Sequence, residues 1–234
     1  MRVIQISWVF VMSLFLICCS SEGVNTQVSA TKDVSPSPKR TIEKNTNNIT
    51  SIANSKGLIV LSNKYGKGDF VRMYNADGSL WYEFTYYYDN ADGNFEYANE
   101  EFAPFSFHPD NFVLALKCVG EDANNYEVIV NEQKGLTKFV KKDDPTLQLE
   151  TWENHIVKRF AVDFIKEVNP LRETPEGVTK ITNLPSGTTF HPVEIEGDWL
   201  KVRWGDSPAD KNVNIGWVRW KENDVILIEL FSMS

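Results

Sequence analysis

Catalysis and metal binding need groups that titrate, attack or ligate at close quarters, and this sequence keeps such groups apart. Its three histidines are His108, ahead of Pro109, His155, and His191, ahead of Pro192. No His-x-x-x-His or Cys-x-x-Cys pair occurs, so a structural zinc site lacks its ligand spacing. Beyond Cys18 and Cys19 the one thiol is Cys118, in FVLALKC. Alternation along a strand puts Phe112, Leu114, Leu116 and Cys118 on one face, where the thiol acts as a small core hydrophobe rather than a nucleophile. Asp89, Asp92, Glu96, Glu100 and Glu101 crowd one stretch without a Lys or Arg among them. A calcium loop begun at Asp89 would meet Ala91 at its third position and Gly93 at its fifth, so the reading is a solvated acidic loop. The expectation is therefore no catalytic residues, no metal and no cofactor.

The concentrated signal is aromatic. EGDWLKVRW runs from Glu196 to Trp204 and GWVRW from Gly216 to Trp220, placing four of the seven tryptophans among Lys201, Arg203 and Arg219. Strand parity sets Trp199, Lys201 and Arg203 on one face and Leu200, Val202 and Trp204 on the other. The second run sets Ile215, Trp217 and Arg219 opposite Gly216, Val218 and Trp220. Rings flanked by cations offer a peptide large contact area at little entropic cost. Trp199, Trp217, Lys201, Arg203 and Arg219 are thus the candidate ligand-binding residues. A competing arrangement packs two rings inside the C-terminal module and two against the domain before it, and both remain open at this level.

These residues must be carried by strands. Alternating apolar stretches recur as LIVLS, FVRMY, LWYEFTYYY, FVLALKCV, YEVIV and LTKFV. Their β-branched and aromatic content, with turn residues between them, predicts short antiparallel strands. Asn75-Ala76-Asp77-Gly78 and Asn90-Ala91-Asp92-Gly93 are near-copies whose Asp-Gly pairs signal hairpins, and NEQKG from Asn131 to Gly135 predicts another. The expected arrangement is a β-meander. TWENHIVKRFAVDF is in phase for helix and strand alike; with Thr151 as a cap, it predicts a helical turn feeding a strand. The fold class is all-β with a minor helix: a β-rich antiparallel domain over residues 57–166, then a small SH3-like barrel over 167–234.

What precedes those domains speaks to location. Arg2 followed by the apolar run Val3 to Ile17 has the layout of a secretory signal, and is shorter than the roughly 20 residues a spanning helix needs. It ends in LICC, which resembles a bacterial lipobox: Leu16 at −3, Cys18 as the small residue at −1, and Cys19 as the lipidated residue. Residues 1–19 are read as a lipoprotein signal peptide. Residues 20–56, rich in Ser, Thr, Asn, Val and Lys, cannot bury enough apolar surface to offset ordering entropy and read as a flexible tether. With Cys19 committed to lipid, Cys118 has no disulfide partner, so the fold must rest on its core. Residues 57–168 hold 11 basic and 19 acidic groups within a chain of net charge −8, which argues against nucleic acid as a ligand.

The C-terminal residues resemble the bacterial SH3-type domain family. The resemblance is carried by Pro170-Leu171-Arg172-Glu173-Thr174-Pro175, by Gly187-Thr188-Thr189-Phe190, by Gly197-Asp198-Trp199-Leu200-Lys201-Val202, and by Gly216-Trp217-Val218. It covers roughly 65 of 234 residues, in the family's order. GDSPADKNVNI is longer than that pattern needs, and the apolar tail VILIEL predicts an added strand. A barrel of this size cannot bury all four rings, and the family binds peptides in the groove beside these strands. Cell-wall peptidases with such domains use a Cys–His pair, which core-facing Cys118 does not supply. The whole layout is similar to small secreted lipoproteins of Bacteroides-type bacteria. The resemblance implies a non-catalytic lipoprotein of the cell envelope, facing the periplasm or cell exterior, that binds a peptide or protein partner such as cell-wall peptide and meets membrane only through its anchor. The other class that the residues admit is an immunity or inhibitor protein blocking another protein's active site with its acidic domain.

Overall fold

The computed structural model describes residues 50–87, 99–205 and 213–232. The leader, Cys19, most of the tether, the second Asp-Gly turn, residues Asp89, Asp92 and Glu96, and most of the long loop before β12 lie outside them. The described chain is all-β and antiparallel, with one short helix. Its elements are β1 (Gly57–Leu61), β2 (Val71–Tyr74), β3 (Leu80–Phe84), β4 (Ser106–His108), β5 (Val113–Glu121), β6 (Asn125–Asn131), β7 (Leu136–Lys141), β8 (Leu147–Glu150), α1 (Trp152–Val157) and β9 (Ala161–Asp163). There follow β10 (His191–Glu196), β11 (Trp199–Trp204), β12 (Asn214–Arg219), β13 (Lys221–Glu222), β14 (Val225–Ile226) and β15 (Glu229–Phe231).

Eight strands form one sheet, in the order β3-β2-β7-β6-β5-β1-β8 with β4 on the free part of β5. The turns behave as their residues require. Gly78 sits at φ 82 between β2 and β3, and the Asn75 N–H donates to the Ser79 carbonyl at 2.8 Å. The order is not the meander expected from sequence, because β1 lies between β5 and β8. The reason is in its residues: Gly57, Leu58, Ile59 and Val60 are all buried, and a strand apolar on both faces belongs inside a sheet. Leu58 and Val60 join one apolar cluster, while Ile59 joins a second with Val71, Met73, Leu116 and Cys118. Gly57, at φ 140, is needed for close approach, since a Cβ there would overlap the Glu150 carbonyl of β8.

The first cluster runs on through Trp152 and Ile156 of α1 to Leu171, Phe190, Leu200, Val202, Trp204, Val218 and Trp220. The C-terminal strands therefore share a core with the eight-stranded sheet. They form a three-stranded sheet β10-β11-β12, a β13-β14 hairpin, and a β9-β15 pair; no barrel closure is detected among the described residues. The apolar tail supplies β14 and β15, as its composition predicts. Residues 50–56, read from sequence as the end of the tether, are engaged: the Ile52 N–H donates to the Asp224 carbonyl at 2.7 Å, and Ile52 enters the first cluster.

Two further differences have local causes. Phe112, expected to face inward with Leu114, precedes β5 at φ 54 and is 43% exposed. The Pro109–Asn111 turn ends on it, and that left-handed backbone breaks the alternation. At the helix, Thr151 is the N-cap: its Oγ1 accepts from the Asn154 N–H at 3.3 Å.

Candidate functional site

The three C-terminal strands place all five candidate residues on one face. Across the sheet, His191, Arg203 and Ile215 are in register, as are Glu194, Lys201 and Trp217, and Glu196, Trp199 and Arg219. The opposite face carries Leu200, Val202, Trp204 and Val218 into the first cluster. Gly216 lies on that inner face because Leu171, Ile181 and the Arg172 carbonyl come against it, leaving no room for a side chain.

The two rings are not open platforms. Trp199 is 6% exposed and Trp217 9%, yet neither belongs to an apolar cluster. Cations of the same chain lie over them: the Arg172 and Arg219 guanidinium carbons are 5.6 and 5.1 Å from the Trp199 ring centre, and Lys201 Nζ is 5.4 Å from that of Trp217. Such contacts contribute about 0.5–2 kcal/mol each, most where water is excluded. Arg172 reaches Trp199 because its backbone bridges Trp217, exchanging hydrogen bonds of 2.7 and 2.8 Å. Nothing in the spacing marks Arg172 as a cover, since its partner is 27 residues away in sequence.

The cations differ in how they are engaged. Lys201 pairs with Glu194 at 2.8 Å and Arg219 with Glu222 at 2.8 Å. Arg203 has no carboxylate within 4.0 Å among the described residues. Beside it stand Ile215, 50% exposed, and His191, whose Nδ1–H donates to the Phe160 carbonyl at 2.7 Å and whose ring meets that of Phe160, 46% exposed, edge-on at 5.2 Å. The accessible part of the face is thus Arg203 flanked by Ile215 on one side and, on the other, by His191 with the Phe160 ring against it. The tryptophans beneath it act as a foundation.

A second grouping, not foreseen from spacing, lies where β8 enters α1. Glu150 and His155 are 7% and 2% exposed, with His155 Nδ1 2.9 Å from Glu150 Oε2, and Lys158 Nζ donates to the other carboxylate oxygen. Burial and the neighbouring Arg159 charge push the His155 pKa down to about 4 against the pull of Glu150, so the ring is neutral at pH 7 and its Nδ1–H donates. Burial raises the Glu150 carboxyl, but the Lys158 and His155 hydrogen bonds outweigh it and hold the group below its ordinary value. Cys118 is fully buried, and burial pushes its thiol pKa up. Among the described residues, no three His, Cys, Asp or Glu side chains gather where a metal ion could sit.

Compared with known proteins, the chain matches no family model, no curated protein and no solved structure.

Proposed function

We propose that this chain is a non-catalytic lipoprotein of the cell envelope, anchored through Cys19, that docks a peptide or protein partner on the outer face of β10–β12. The observation that carries the docking is Arg203, a guanidinium with no carboxylate within 4.0 Å among the described residues, flanked by exposed Ile215 on one side and by His191 on the other. A cation of that kind meets a carboxylate bidentately, and the flanking apolar surface adds area. The partner that fits is a peptide bearing an acidic group beside an aliphatic one, which describes cell-wall stem peptides. The LICC stretch and the resemblance of the C-terminal residues to SH3-type modules support the same reading.

The test is titration of the full chain with a soluble stem peptide, followed by calorimetry. Saturable binding should be lost in Arg203→Glu, whose thermal midpoint stays at the native value because the side chain is only partly buried. Unchanged binding by that variant, or no binding by the native chain, refutes docking on this face.

A further inference from the structure

An open cleft of about 420 Å³ lies over the end of β1, the start of β5, β8 and the end of α1. That volume falls in the range of sites for small molecules, roughly 300–1,000 Å³. Its walls are of two kinds. Phe112 and Tyr65 line one part, and Glu150, Lys158 and Arg159 another, with Gln148 of β8 between.

The charged wall carries an excess positive charge. Both Glu150 oxygens are taken inside the protein, one by His155 and one by Lys158. Among the described residues Arg159 has neutral partners only: its Nε–H donates to the His155 carbonyl at 3.2 Å and its Nη1–H to Ser232 Oγ at 2.9 Å. No carboxylate lies within 4.0 Å of its guanidinium among the described residues. With His155 neutral, one carboxylate faces two cations. Arg159 is partly buried, and burial pushes its pKa down. A guanidinium has five N–H donors, so most of this one's remain for a ligand.

The aromatic wall is held open at a cost. Phe112 is 43% exposed on a left-handed backbone, φ 54, that a bulky residue rarely adopts. Its ring is fixed by Tyr86, stacked at 5.3 Å, and by Tyr87, edge-on at 5.0 Å. Strained residues kept by their surroundings cluster at ligand clamps.

We infer that this cleft binds a small carboxylate with a flat apolar body, its carboxylate meeting Arg159 and Lys158 and its body lying against Phe112 and Tyr65. The exposed Gln148 amide stands where a hydrogen bond to the ligand's polar link can form. The cleft is lined by none of Phe160, His191, Arg203 and Ile215, so the inference does not depend on the docking reading.

The probe is N-acetyl-phenylalanine, set against N-acetyl-phenylalaninamide, each titrated into the full chain by calorimetry. The acid should bind saturably, and the amide at least about tenfold more weakly, as loss of a charged hydrogen-bond acceptor requires. Gln148→Glu places a repelling charge on an exposed strand position; it should weaken the acid by a similar factor while the melting midpoint holds. Arg159→Gln should do likewise. Arg203→Glu should leave the acid's affinity alone, which separates this site from the docking face. Absence of saturable binding by the acid, equal binding of acid and amide, or undiminished binding by Gln148→Glu overturns the assignment. Loss of the acid in Arg203→Glu overturns it too.

Discussion

Mild acid should destabilise this protein through His155. The ring is 2% exposed, and burial, reinforced by the Arg159 charge, pushes its folded pKa from 6.5 to about 4. Between those values the unfolded chain carries a proton on this ring that the folded one refuses, so stability must fall as pH falls. The contribution is fully present above about pH 6.5 and is lost progressively down to about pH 4. A gap from 6.5 to about 4, at about 1.36 kcal/mol per unit, amounts to about 3 kcal/mol. Glu150 acts in the same direction at lower pH, because its depressed carboxyl stabilises the fold above its unfolded value and ceases to as it is protonated. His155→Gln keeps a donor for Glu150 and removes the titration. Urea denaturation of the full chain and of the variant, at a series of pH values between about 4 and 7, measures the difference. The native curve should lose about 3 kcal/mol more than the variant curve over that window. Parallel curves would refute the burial and neutrality of His155, whatever the variant's absolute stability.

Trp199→Ala and Trp217→Ala should each cost roughly 3–5 kcal/mol, seen as a large drop in thermal midpoint, because both rings are buried and support the cations above them. A midpoint unmoved by either change would return the rings to the solvent-facing groove expected from spacing. Cys19→Ser should yield, on intact-protein mass spectrometry, a chain that carries no acyl groups and keeps its leader; acyl groups persisting on that variant would sink the lipobox assignment.

Strand parity read the outer face correctly down to each residue, since period-two alternation depends only on local backbone. It could not tell whether rings on that face are bare. Trp199 is covered by Arg172, brought in by a backbone bridge to Trp217, and such pairings over long separations leave no trace in local pattern. Sheet order failed for a related reason: the β2–β3 and β6–β7 hairpins are written in their Asp77-Gly78 and Gly135 turns, whereas the insertion of β1 between β5 and β8 follows from apolarity on both its faces. That signal stood in GLIVL, and it outweighs the simpler rule that successive strands neighbour one another.

The buried pair at the helix start was within reach of counting. With Thr151 as N-cap, Glu150 is the residue before the cap and His155 the fourth of the helix, the two positions that a hydrophobic staple brings together. Two apolar side chains would ordinarily occupy them. Here a carboxylate and an imidazole do, and a buried pair of this kind is rarely more stable than an apolar pair of similar volume. Stability alone therefore does not account for it. What the pair does provide is placement: the Glu150 carboxylate, itself fixed by His155, holds the Lys158 ammonium in the cleft that Arg159 also lines. Replacing Glu150 and His155 together by Leu tests that account. If the pair serves placement, the double variant should keep or raise the native thermal midpoint while losing N-acetyl-phenylalanine. Retention of that ligand at native affinity would show that the Lys158 ammonium needs no such anchor.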